Sequence, residues 1–238
     1  MSSLEHKHII KFLKFTEAAN LKYSNGRTTR VPVMFTEFGK NGDFGTHLEK
    51  IGPLSDEVAR TYFHQIVETL EYIHEKQICH FDIKPENFVL DGDYNLKLCD
   101  FGCSRKIAKT DSFRGIVGTN TFLAPEAHLD QFYSGKKLEI FSCGVMLFAM
   151  MTGRYPFEQA IRKDELFNLI CERKFSRFWA IHKETLDQSV VLSEELQDLI
   201  IRMLKKYPSD RITLDGIKSH AWFQGPVVSA DKLAKVFI

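Results

Sequence analysis

His80-Phe81-Asp82-Ile83-Lys84-Pro85-Glu86-Asn87 is the stretch on which the reading of this chain turns. It is followed by Asp100-Phe101-Gly102 and then by Ala124-Pro125-Glu126. Each piece alone has an ordinary explanation: Asp82 as a turn former, the Asp-Phe-Gly triplet as an Asx-type turn. Their joint occurrence does not. Six fixed identities in the first segment alone, at roughly one chance in twenty each, make coincidence an event on the order of 10⁻⁶ over the chain.

Outward from that stretch, the composition is that of a globular protein. The 238 residues are 44% hydrophobic, enough for one large core or two modest lobes. Thirty-two Lys and Arg against 31 Asp and Glu leave a net charge of +1, so no global field draws the chain to nucleic acid or to an anionic membrane. Met1 to Lys11 carries charge and histidine where a signal peptide needs an apolar run, and an intracellular, cytoplasmic protein is expected. Five cysteines without C-x-x-C spacing predict reduced thiols rather than a disulfide framework or a zinc site. The apolar run Ile140 to Met151 spans about 18 Å as a helix, against about 30 Å for a bilayer core. It reads as a buried helix. Nothing in the sequence speaks to oligomeric state.

The order of elements implies an α+β chain. Asn25-Gly26 is a hairpin signal between two strand-like runs, the second being Val31 to Phe38 with Pro32 near its start. From Ser55 the pattern turns helical, with Ser55 as N-cap and Ala59, Tyr62, Phe63, Ile66, Leu70 and Ile73 on one face. Asn87 to Leu90 and Asn95 to Cys99 read as short strands around the Asp91-Gly92-Asp93 turn. Further helices are predicted at Leu138 to Thr152, at Ser193 to Leu204 and around Leu214 to Ser219.

In these motifs the chain resembles the catalytic half of a eukaryotic serine/threonine protein kinase, from about Leu4 to about Phe223, and its end, Arg211-Ile212-Thr213 to His220-Ala221-Trp222-Phe223, is most similar to the calcium/calmodulin-dependent and AMP-activated kinases. The resemblance implies a kinase-like fold in one domain over residues 1–238. Residues 1–38 would be a residual N-lobe, with only the fourth and fifth strands, and the hinge; residues 39–224 a mostly helical C-lobe; residues 225–238 a tail. It implies a protein serine or threonine as substrate, ATP as phosphate donor and Mg²⁺ as cofactor. Asp82 would accept or orient the hydroxyl proton, a role worth about 10² to 10⁴ in rate. Lys84 would sit against the transferring phosphate, and Asn87 and Asp100 would ligate the metal. Lys84 and Thr119 mark the serine/threonine branch. On the nucleotide side, Thr36 would be the gatekeeper, backbone groups of Glu37 and Gly39 would meet adenine, Asp43 would reach the ribose and Val89 would form the pocket floor. Glu126 and Arg211 would make a buried structural pair, and Phe12, His80 and Phe101 an internal column of rings.

Some residues depart from the family pattern. Phe81 replaces the catalytic-loop arginine that receives an activating phosphate, Glu139 stands where the central helix carries Asp, and Gly115 occupies the place of the activating threonine. The given sequence also contains neither the glycine-rich loop nor the phosphate-pairing lysine. Gly39 to Gly45 has glycines at the wrong spacing and reads as the hinge loop, and Lys11 belongs to the fourth-strand region. Two functional readings therefore stand side by side: a serine/threonine kinase, and a catalytically impaired kinase-like binding module.

Overall fold

The structure, a computed structural model, describes residues 3–129, 131–188 and 190–237. Strand β1 (Phe12–Lys22) and strand β2 (Thr28–Thr36) form an antiparallel hairpin. Its turn falls at the expected Asn25-Gly26: Asn25 Oδ1 accepts the Arg27 N–H, and Gly26 adopts φ 81°. Two strands cannot cover both of their faces, and Leu13, Phe15, Met34 and Phe35 remain exposed. The segment before the hairpin is tied to the lower body, because Ile10 N–H donates to Leu98 O and Leu98 N–H to His8 O.

Below the hairpin the chain is mostly helical. Helix α1 (Phe44–Ile51) follows the loop of residues 37–43, and helix α2 (Asp56–Glu75) buries all six residues of the predicted face. Ser55 occupies the N-cap position of α2, but its side chain makes no capping bond. Strands β4 (Phe88–Leu90) and β5 (Leu96–Leu98) pair antiparallel, while β3 (Ile78–Cys79) pairs with β6 (Arg105–Lys106). Helix α3 (Gly135–Thr152) is buried at every residue from Leu138 to Thr152, with Glu139 as the one charged side chain in that run. It starts a turn before the predicted Leu138, because Ser134 Oγ accepts the Lys137 N–H and caps it there. Helices α4 (Glu165–Cys171), α5 (Phe175–Thr185), α6 (Glu194–Met203) and α7 (Leu214–Lys218) complete the helical body, and α8 (Ala230–Val236) lies in the tail. Among the described residues, no helix is long and apolar enough to cross a membrane.

Candidate active site

The loop of residues 80–87 is held from beneath. Phe81 takes φ 67°, a left-handed conformation costly for a bulky residue. Glu139 on α3 over-determines it: Oε1 accepts the N–H groups of His80 and Phe81, the latter at 2.8 Å, and Oε2 accepts His74 Nε2–H. The extra methylene of Glu over Asp therefore still reaches the loop backbone. His80 Nε2–H donates to Cys99 O at 2.9 Å while its Nδ1 faces the Asp82 N–H at 3.3 Å. Burial lowers the His80 pKa against the pull of Glu139, so the ring is neutral and sets the loop geometry rather than its charge. The His80 and Phe101 rings meet edge to face at 4.9 Å. Phe12 makes no ring contact with either among the described residues, since it pairs with Thr36 at the start of β1; the expected column has two members, not three.

Three predicted side chains converge on the carboxylate of a fourth, Asp82. Thr119 donates to Asp82 Oδ1 through both N–H, at 3.0 Å, and hydroxyl, at 2.8 Å. Lys84 Nζ lies 3.0 Å from Asp82 Oδ2 and 2.7 Å from Thr119 Oγ1. Asn87 Nδ2 donates to Asp82 O at 2.7 Å and to Oδ2 at 2.8 Å. Burial acts to raise the Asp82 pKa, but the bonds from Thr119, Lys84 and Asn87, with the lysine charge, outweigh it and hold the carboxyl below the ordinary aspartate range. Gly118 makes this closure possible. It has φ 102°, and a Cβ there would lie 2.2 Å from Phe81 O, so only glycine brings Thr119 this close to the loop.

Because Asn87 spends its amide nitrogen on Asp82, its amide oxygen is the donor left for a metal. Asp100 is exposed and left-handed at φ 54°, with Oδ1 accepting Gly102 N–H at 3.1 Å. One amide oxygen and one open carboxylate are hard donors that fit Mg²⁺, which takes few protein oxygens beside phosphates. Cys99 between them is no nucleophile: burial pushes its thiol up to about 11, and Sγ–H donates to Asn87 O.

On the hinge side, β2 ends at Thr36. Glu37 N–H donates to Lys11 O, and its carboxylate takes Lys11 N–H and Lys97 Nζ, fixing the strand end to β5. Neither Glu37 O nor Gly39 N–H has a hydrogen-bond partner among the described residues. Phe38 between them is 81% exposed. Val89 on β4 packs directly on Gly39, where a Cβ would sit 2.7 Å away. The Asp43 carboxylate is engaged as the N-cap of α1, taking the Thr46 N–H and hydroxyl at 2.7 Å each. These bonds outweigh the effect of burial and lower its pKa.

The sequence profile described as "Protein kinase domain" matches residues 1–223. The chain belongs to the protein kinase domain family. Over 188 residues it is 36% identical to the "Carbon catabolite-derepressing protein kinase" of Secale cereale, covering 79% of this chain and 35% of that protein. It is 36% identical over 197 residues to "CBL-interacting protein kinase 11" of Oryza sativa subsp. japonica, covering 80% and 36%. Over 229 residues it is 33% identical to "Serine/threonine-protein kinase SRK2F" of Arabidopsis thaliana, covering 94% and 61%. This kinase domain thus spans less than two thirds of the length of each of these relatives.

Two further features of the kinase domain frame the site. Arg211 and Glu126 form a bidentate pair, both buried, at 2.5 Å per bond, and the guanidinium also donates to Lys205 O and Lys137 O. The second feature escaped sequence reasoning. The Phe81 ring is buried and packs edge to face on Phe113, 4.8 Å away, and on Tyr133 at 6.5 Å. Phe113 and Tyr133 exchange backbone bonds, the Tyr133 hydroxyl donates to Gly115 O, and Asp111 accepts the Gly135 and Lys136 N–H groups at the start of α3. An aromatic clasp and a borrowed helix cap thereby hold the segment between Gly102 and Ala124. The signal was present in Phe81 itself: an apolar residue in place of a phosphate receptor needs an apolar partner.

Proposed function

We propose that this chain transfers the γ-phosphate of ATP to serine or threonine hydroxyls of proteins. The observation that carries the reading is the closed set Asp82, Lys84, Asn87 and Thr119, in which one carboxylate is kept ionised and aimed by three donors. The substrate hydroxyl oxygen attacks the γ-phosphorus, the bond to the β–γ bridging oxygen breaks, and ADP leaves. Asp82 orients the hydroxyl and takes its proton. A carboxyl held below the usual range is a weak base, so the proton moves late, as a loose transition state requires. Lys84, which bonds Asp82 and Thr119, would also meet the phosphoryl oxygens. Asn87 and Asp100 would hold Mg²⁺, which when bound neutralises phosphate charge. Thr36, as gatekeeper, would line the back of the adenine site. Glu37 O and Gly39 N–H have their hydrogen-bonding capacity free for an adenine edge, Val89 would lie beneath the ring, and Asp43 would offer the ribose its remaining lone pairs. The test is transfer of labelled phosphate from Mg-ATP to a protein substrate. Transfer that depends on the divalent cation is expected, and none under any substrate or cation condition would refute the reading.

The aromatic clasp leads to a prediction about control. Kinases switched by phosphorylation seat the new phosphate on the catalytic-loop arginine. Here that place is filled by a buried ring already packed on Phe113, and Gly115 has no hydroxyl to modify. Replacing Thr110 and Ser112 with alanine, and treating the protein with phosphatase, should leave the rate within about twofold. A tenfold loss, about 1.4 kcal/mol, would show a phosphorylation switch in this segment.

A further inference from the structure

The match to the kinase domain ends at residue 223, yet described residues beyond it are tied to the body at several points. Arg60 on α2 donates to Trp222 O at 2.6 Å and to Pro226 O at 2.7 Å, and Thr61 Oγ1 accepts Val228 N–H at 2.9 Å. Helix α8 follows, with Leu233 buried in the core, and delivers Phe237 to a slot made by three other rings. Phe237 stacks on Tyr94 at 5.3 Å and 2° between planes, meets His47 edge-on at 5.0 Å and lies 6.2 Å from Tyr62.

Both of its nearest partners brace the hinge loop. His47 Nε2–H donates to Asn41 O at 2.6 Å. Asn41 Nδ2 donates to Asp91 O at 2.7 Å, and Tyr94 N–H donates to the same carbonyl. Phe237 closes this circuit by touching His47 at one end and Tyr94 at the other. Tyr94 supplies a second, independent sign. It has φ 60° in a tight turn, where glycine or asparagine is free of strain and a bulky aromatic is not, and Tyr62 OH donates to its carbonyl at 3.1 Å to hold it there. A strained Tyr is explained by what its ring does, which is to stack on Phe237.

We propose that the C-terminal segment is a built-in strap for the hinge loop and that Phe237 is its positioning residue. The ring keeps residues 39–43, which carry Gly39 and Asp43, on β4 and at the start of α1. The consequence for nucleotide rests on the kinase reading; the bracing of the loop does not. Phe237→Ala and Tyr94→Gly should each speed backbone hydrogen exchange in residues 39–43 by about tenfold, with exchange in α3 unchanged as the control for global unfolding. In steady-state assays each should raise the KM for Mg-ATP by about fivefold to tenfold, leaving kcat and the KM for protein substrate within about twofold. Phe237→Tyr, which keeps the ring, should behave as the parent. Unchanged exchange in residues 39–43 overturns the strap. Faster exchange in a chain that binds no Mg-ATP supports the strap and refutes the kinase reading instead. Faster exchange with an unchanged KM for a nucleotide that does bind overturns the positioning role.

Discussion

Asp82→Asn is expected to lower the rate of phosphate transfer by about 10² to 10⁴, or about 3 to 5 kcal/mol of barrier, while leaving the fold intact. Asparagine has nearly the shape of aspartate, and the bond from the Asn87 side-chain amide to the residue 82 carbonyl oxygen survives the change. What is lost is the charge. Thr119 would retain an oxygen to donate to, but Lys84 would face an amide instead of its partner carboxylate, and no group at this position could take the hydroxyl proton. The effect should therefore fall on kcat, with the KM values little moved, which is the mark of an interaction made in the transition state. The check is steady-state phosphotransfer on parent and variant, with unfolding midpoints measured in parallel. A loss below about tenfold would remove Asp82 from the chemistry.

The largest effect on stability is expected at Glu126. Truncating Glu126 to alanine should cost about 3 to 5 kcal/mol, because Arg211 would keep its charge in a buried site. The carbonyls of Lys205 and Lys137 would still accept from the guanidinium, but neither is charged. The pair also has a positional role. Glu126 sits in the short turn Pro125–His128, directly after the segment that carries Thr119, and Arg211 lies just before α7. Breaking the pair should loosen that segment and lower phosphate transfer as well. Denaturant unfolding at constant m-value reads the first effect. Replacing both residues with methionine should cost much less than Glu126→Ala and Arg211→Ala summed, since it leaves no orphaned charge. A Glu126→Ala variant within about 1 kcal/mol of the parent would contradict the account.

The sequence was most legible where the chain repeats a chemical pattern that packing alone does not demand. Asp82, Lys84, Asn87 and Thr119 each stand in a sequence motif, and the structure brings all four together. Helix α2 was legible because its apolar face runs through 20 residues, long enough for periodicity to show. Helix α1 was not: eight residues leave little room for a pattern, and its cap, Asp43, was read only as a ribose ligand. Helix α5 escaped because its N-cap position is Lys174, which makes no side-chain capping bond, and Arg173, with φ 58°, separates it from the seven-residue α4. The strap and the aromatic clasp were invisible for a different reason. Phe237 meets His47 and Tyr94, and Phe81 meets Phe113 and Tyr133, across long separations in sequence that no local pattern encodes.

The central claim is that one carboxylate, with its lysine, asparagine and threonine, directs phosphate to an aliphatic hydroxyl. Analysis of the phosphorylated residues formed from labelled Mg-ATP on a protein offering serine, threonine and tyrosine tests it most directly. The account predicts label on serine and threonine that disappears in Asp82→Asn. Label confined to tyrosine, or label on serine and threonine that persists undiminished in that variant, would contradict it.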